Sequence, residues 1–143
     1  MRDGNGTGGS SRKRGNLVVS KAGLFNVPYM LIIMEPRGQR QQRTEAEGRA
    51  VYQRMQDYST ALKARGVLRT SQSLATDTSG MRVKVRDGKP MLIDGPFAES
   101  KEMVGGYFIL DCDSRDEAIA IASEVPAAEW ATIEVREFGP CFA

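Results

Sequence analysis

From Val27 onward the chain alternates short apolar runs with longer amphipathic segments. Pro28 to Met34 is one such run. In an extended chain Tyr29, Leu31 and Ile33 point one way and Met30, Ile32 and Met34 the other, so the pattern predicts a central strand buried on both faces. Glu35 to Gly38 should close it, because Pro36 offers no ladder donor and Gly38 permits a turn. A polar loop then leads to Thr44 to Glu47, a capping-box sequence that opens a helix: the Thr44 hydroxyl can accept from the third helical amide while Glu47 reaches back. Val51, Met55, Tyr58 and Leu62 lie along one stripe of that helix, and Gly66 stands where a helix C-terminus favours glycine.

A less regular strand is expected over Val67 to Ala75, followed by a turn at Asp77 to Gly80. Met81, Val83 and Val85 alternate with Arg82, Lys84 and Arg86, which predicts a strand with one face in the core and one in water. Asp87 and Gly88 form a two-residue hairpin signal, and Lys89 to Ile93 return. Gly105 and Gly106, read as a β-bulge or a close-packing site, lead into a two-sided apolar strand from Tyr107 to Cys112. Ser114 to Glu117 is a second capping box, and its helix buries Ala118, Ile121, Ala122 and Val125 before Pro126 ends it. Trp130 to Phe138 closes the chain as a strand. The order β-α-β-(hairpin)-β-α-β describes a ferredoxin-like α+β layer, with both helices on one face of a mostly antiparallel sheet. The other face keeps apolar residues that ask for a partner.

Length and composition fit one domain: 143 residues, 41% hydrophobic and 27% charged. The formal charge of +2 is unevenly placed. Residues 1–26 carry Arg2, Arg12, Lys13, Arg14 and Lys21 against Asp3, a net +4, which leaves −2 on the rest. With six of the fifteen glycines, this stretch is expected to be a flexible Gly/Ser/basic tail before a domain at 27–143. Leu17 to Val19 is too short an apolar run for a secretory signal, and no run reaches the ~20 residues of a membrane span. Cys112 and Cys141 make neither a disulfide scaffold nor a zinc motif, so a cytoplasmic, reduced protein without a metal or cofactor is expected. The basic ridge Arg82, Lys84, Arg86 and Lys89 lacks interleaved aromatics and is read as a solvated face, not a nucleic-acid surface.

Candidate chemistry concentrates between Met91 and Asp111. Asp94 stands at a strand end beside Gly95, Pro96 and Phe97; it is either a rigidly held functional carboxylate or the cap of an Asx turn. Glu99, Lys101 and Glu102 follow, a cluster that can seat an anion beside Lys101 or remain a solvated loop. Tyr29 and Tyr107 can line a cleft or serve as core aromatics. The chain has no histidine, so histidine-based triads and histidine-ligated metals are excluded.

The Asp94-Gly95-Pro96-Phe97 turn, the Glu99/Lys101/Glu102 cluster and the Gly105-Gly106-Tyr107 strand start resemble the YCII-related, or DGPF-motif, family of small bacterial proteins. The resemblance implies a homodimer in which two sheets face each other as a dimeric α+β barrel. It also implies a site near the turn, with Asp94 as the catalytic candidate and Asp94, Phe97, Lys101, Glu102 and Tyr107 as ligand-binding residues. Some relatives carry a proposed His–Asp pair in the cleft. This chain cannot form one, which favours binding of a small, anionic molecule over catalysis and leaves open whether it is an enzyme. The alternative implied by the resemblance is a regulatory protein partnered with an extracytoplasmic-function sigma factor.

Overall fold

The structure is a computed structural model that describes residues 27–142 and three short strands before them. Those strands, β1 (Lys13–Arg14), β2 (Leu17–Val19) and β3 (Phe25–Asn26), pair antiparallel in that order. The expectation of a flexible tail over residues 1–26 otherwise lies outside the described residues.

The domain follows the expected order. It comprises β4 (Pro28–Pro36), α1 (Glu45–Ala64), β5 (Leu68–Ser73), the hairpin β6 (Met81–Arg86) and β7 (Lys89–Asp94), β8 (Glu102–Asp111), α2 (Arg115–Glu124) and β9 (Thr132–Glu137). The main sheet runs β5-β8-β4-β9 with every neighbouring pair antiparallel. Strand β4, the most apolar, is therefore central. Strands β4 and β5 run parallel with β8 between them, and α1 makes the crossover; β8, α2 and β9 repeat the arrangement around β4. Two interleaved split βαβ units of this kind are the ferredoxin-like α+β fold.

Local signals act as the sequence suggests. Glu47 N donates to Thr44 Oγ1 at 3.2 Å, and Thr44 N donates to Glu47 Oε2 at 3.4 Å, completing the capping box of α1. Beyond the helix Gly66 takes φ +77°, a left-handed value that costs glycine little. Ser114 caps α2 by accepting from Glu117 N, but Glu117 Oε2 accepts from Asp113 N, one residue before the cap, so the second box is only half formed. Asp87 and Gly88 take φ 53° and 72°, the two left-handed residues of a type I′ hairpin.

The core lies between the sheet and the helices. Tyr29, Leu31, Phe108 and Leu110 from the central strands meet Leu62 of α1 and Ala118, Ile121 and Ala122 of α2. Tyr58 meets Phe108 edge-on, with ring centroids 6.2 Å apart. Cys112 is buried here, and burial pushes its thiol up to about 11. Met30, Ile32 and Met34 alternate onto the opposite face, where pairing aligns Met30 with Ile109, Ile32 with Tyr107 and Met34 with Val104. Within one chain this face is only half-buried, so β4 is not fully enclosed on both sides as expected. Gly105 is the extra residue of a bulge: Ile33 pairs with Gly106 and Met34 with Val104.

The hairpin departs from expectation. Among the described residues strands β6 and β7 pair only with each other, and neither face reaches the core. Val83 and Leu92, a cross-strand pair on one face, are each 61% exposed. The alternation was legible, but it marks an arm projecting from the domain, not a layer of it.

Candidate functional site

The Asp94-Gly95-Pro96-Phe97 turn folds back onto the 3-10 turn at Asp77–Ser79. Gly95 N donates to Gly80 O at 2.9 Å, and Phe97 N donates to Asp77 Oδ2 at 3.2 Å. Asp77 also accepts both guanidinium arms of Arg37, at 3.0 and 2.5 Å, while Arg37 Nε and N donate to the carbonyls of Ser100 and Lys101 at 2.7 and 3.0 Å. This bidentate pair holds the Asp77 carboxyl below the usual aspartate range and raises Arg37. Phe97 is buried under the Arg82 guanidinium, 3.9 Å from the ring centroid, and Arg82 pairs with Glu99 at 2.7 Å. The signature turn is thus the catch of a clasp whose hub is Arg37. Gly95 is required in it, since a Cβ there would sit 1.9 Å from Asp77 O.

Asp94 is exposed at the end of β7, opposite Met81. An Asx turn is closed to it: the residue two ahead is Pro96, without an N–H, and the next amide belongs to Asp77. Lys101 and Glu102 are exposed at the start of β8. Tyr29 is a core residue. Tyr107 pairs with Ile32 and Gln72, on the sheet face away from the helices, while its neighbour Phe108 enters the core. Asp94, Phe97, Lys101, Glu102 and Tyr107 therefore do not converge on one cavity.

Beside the turn a small cavity of about 200 Å³, bordered by Arg37, Asp77, Pro96 and Met103, takes in none of these five; a larger one of about 510 Å³ lies between the N-terminal half of α1 and the sheet. Its origin is in the sequence. Val51 and Met55 of α1 face Ser71, Ser73 and Gly105, residues too small to fill the gap, whereas Leu62 further along the helix finds the full core. Of the residues predicted for the site only Tyr107 borders this cleft, and by alternation it does so with its backbone. The charged and aromatic groups on its wall include four that the sequence reading gave no candidate role: Glu35, Arg40, Arg43 and Trp130.

Glu35 continues the core-facing series Tyr29, Leu31, Ile33 and is only 6% exposed. Arg40 Nη2 lies 2.6 Å from Glu35 Oε1, off the line of a hydrogen bond, so that enclosed oxygen has no well-directed donor. Gly105 makes room for it: a Cβ there would stand 2.5 Å from Oε1. Arg43 lies over the Trp130 ring, 5.6 Å from the centroid, with Arg54 at 5.4 Å. Arg54 is held by Glu129 at 2.9 Å. Among the described residues no carboxylate lies within 4.0 Å of Arg43. Gln39 Nε2 donates to Trp130 O at 2.7 Å, fixing the loop that carries both cleft arginines.

A family model, the YCII-related domain, matches residues 29–140, from the first residues of β4 past the end of β9. The chain belongs to the YCII-related family. It is also similar to an uncharacterized protein of Rhizobium meliloti (strain 1021), 37% identical over 65 residues, 44% of this chain and 52% of that protein. The chain thus spans about half the length of the curated relative it matches. Among the described residues no helix is long and apolar enough to cross a membrane.

Proposed function

We propose that this YCII-related protein binds a small anionic molecule in the cleft between α1 and the sheet. The observation that carries the reading is Arg43, a guanidinium on the cleft wall with no carboxylate partner among the described residues. Beside it is a second guanidinium, Arg40, whose counterion is buried behind it. Arginine presents paired donors matched to carboxylate and phosphate oxygens. A cleft of about 510 Å³ is large enough for a small metabolite. On this reading the ligand would lie away from the Asp94 turn, whose Gly95 and Phe97 amides are engaged in the clasp. The test is a thermal-shift and calorimetric screen of small carboxylates and phosphates. A ligand should raise the melting temperature, and Arg43→Gln should weaken its binding about tenfold and shrink the shift; binding that ignores Arg43→Gln would overturn the assignment.

Homodimerisation accompanies this reading. It is supported by the apolar residues on the sheet face turned from the helices, Met30, Ile32, Met34, Tyr107 and Ile109, together with the exposed apolar side of the hairpin. In such a dimer Tyr107 would lie between the sheets. Light scattering at micromolar concentration should report twice the chain mass; a monomer would refute it.

A further inference from the structure

Among the described residues three charged ones line the cleft: Glu35, Arg40 and Arg43. The first two form an ion pair, so the cleft presents one net positive charge. Stability alone is a poor reason for that pair. Burying a carboxylate is costly, and exchanging a buried ion pair for apolar side chains is often neutral or stabilising. Yet the local structure is arranged around Glu35: the bulge residue opposite is a glycine, whose missing Cβ leaves the space the carboxylate fills, and the strand's core-facing alternation carries the charge inward. The enclosed Oε1 lacks an aligned donor, so the carboxylate acts on Arg40 mainly through charge.

We infer that Glu35 sets the charge selectivity of the cleft by cancelling Arg40, and that the ligand class is a monoanion, a monocarboxylate with an apolar body, rather than a phosphate dianion. This rests on the reading of the cleft as an anion site. Arg43 faces one negative group, while Ile33, Val51 and Met55 form an apolar wall for the rest of the molecule. A dianion would meet only one uncompensated cation and would place its second charge near the Glu35 carboxylate in a partly dehydrated space, where like charges repel strongly. Glu35 is a specificity residue acting through Arg40; it need not touch the ligand.

The experiment compares benzoate, phenyl phosphate and benzyl alcohol, three ligands sharing one ring and differing in charge, by calorimetry at pH 8 on the full chain. The wild type should prefer benzoate. Glu35→Gln raises the cleft by one positive charge and should move the phenyl phosphate to benzoate affinity ratio about tenfold toward the dianion. The double variant Glu35→Gln/Arg40→Gln restores a single net charge and should return the ratio to the wild-type value, which a purely structural role for Glu35 would not produce. Binding of both anions with a ratio unmoved by Glu35→Gln overturns the selectivity role and leaves the anion site standing. Failure of both anions to bind the wild type overturns the anion site itself, and this inference with it. If Glu35→Gln alone does not fold, Arg43→Gln decides: it sets the cleft to zero net charge and should weaken benzoate about tenfold while sparing benzyl alcohol. Equal loss of both ligands, or of neither, would refute the charge count.

Discussion

Replacing Gly95 by alanine separates a structural from a chemical role for the signature turn. The new Cβ would lie 1.9 Å from Asp77 O, 3.0 Å from Asp77 C and 3.2 Å from Gly80 O, all backbone atoms that cannot rotate away. The two turns must part by roughly 1.5 Å to reach ordinary contact. That movement stretches the 2.9 Å bond from Gly95 N to Gly80 O and shifts Asp77 from Phe97 and Arg37. Overpacking of this kind costs about 1–3 kcal/mol, and a lost hydrogen bond adds about 1 kcal/mol. The expected loss is therefore about 2–4 kcal/mol, or roughly 8–16 °C in melting temperature for a domain of this size. Urea denaturation at equilibrium measures it directly. Asp94→Ala is the matched control: an exposed side chain outside the clasp should change stability by no more than about 0.5 kcal/mol. If Gly95→Ala also fell within about 0.5 kcal/mol, the clasp would not be the turn's role.

Other substitutions test the cleft, the core and the clasp separately. Gly105→Ala places a Cβ 2.5 Å from Glu35 Oε1 and 3.3 Å from Arg40 Nη2; because both are side-chain tips, stability should fall by only about 1 kcal/mol while anion affinity drops severalfold by calorimetry. Cys112, with its thiol raised by burial to about 11, should resist a thiol reagent at pH 8 in the native protein, whereas exposed Cys141 reacts at once; two fast equivalents would contradict the placement of Cys112 in the core. Asp77 titrates below its ordinary range because Arg37 bonds its charged form. Its stabilisation is present above the unfolded-state pKa and is lost as pH falls through the lower folded value, so Asp77→Asn should flatten the acid limb of a stability profile below about pH 4.

Much of the architecture was legible because it rests on local chemistry. Thr44 with Glu47, Gly66, and Asp87 with Gly88 each fix a boundary through their own backbone preferences, and the alternation in β4 and β8 marks the central strands. The hairpin misled because period-two alternation says only that two faces differ, not that either meets a core; whether Val83 and Leu92 are covered depends on what lies beyond the chain. The cleft was missed for a different reason. Arg40 and Arg43 sit in a segment that reads as a polar loop, and a cavity is an absence of side chains, visible only once α1 is laid over Ser71, Ser73 and Gly105. One signal was present: Glu35 has the same parity as Tyr29, Leu31 and Ile33, so the strand's own pattern carries a carboxylate to the buried side. The Asp94 turn drew attention as a composition of turn residues, while its binding partner, Asp77, stands far off in sequence and gives no local sign of the contact.

The signature turn and the cleft are nevertheless joined through one short segment. Glu35 ends the core-facing series of β4 in the cleft, Arg37 two residues later is the hub of the clasp, and Arg40 and Arg43 return to the cleft wall. Gln39 ties the same segment to Trp130. The clasp therefore anchors the stretch of chain that carries both guanidinium groups of the cleft wall, and on the proposed reading Arg37 is a positioning residue for them. Arg37→Lys keeps the charge but loses the planar fork that holds Asp77 and Ser100 together. The helix–sheet core lies apart from these contacts and should keep its slow amide exchange, while amides of residues 37–43 exchange faster and benzoate affinity falls severalfold. Affinity unchanged despite faster exchange would show that the arginines are held by Glu35 and Trp130 alone, and would confine the Asp94-Gly95-Pro96-Phe97 turn to a structural role with no reach into the cleft.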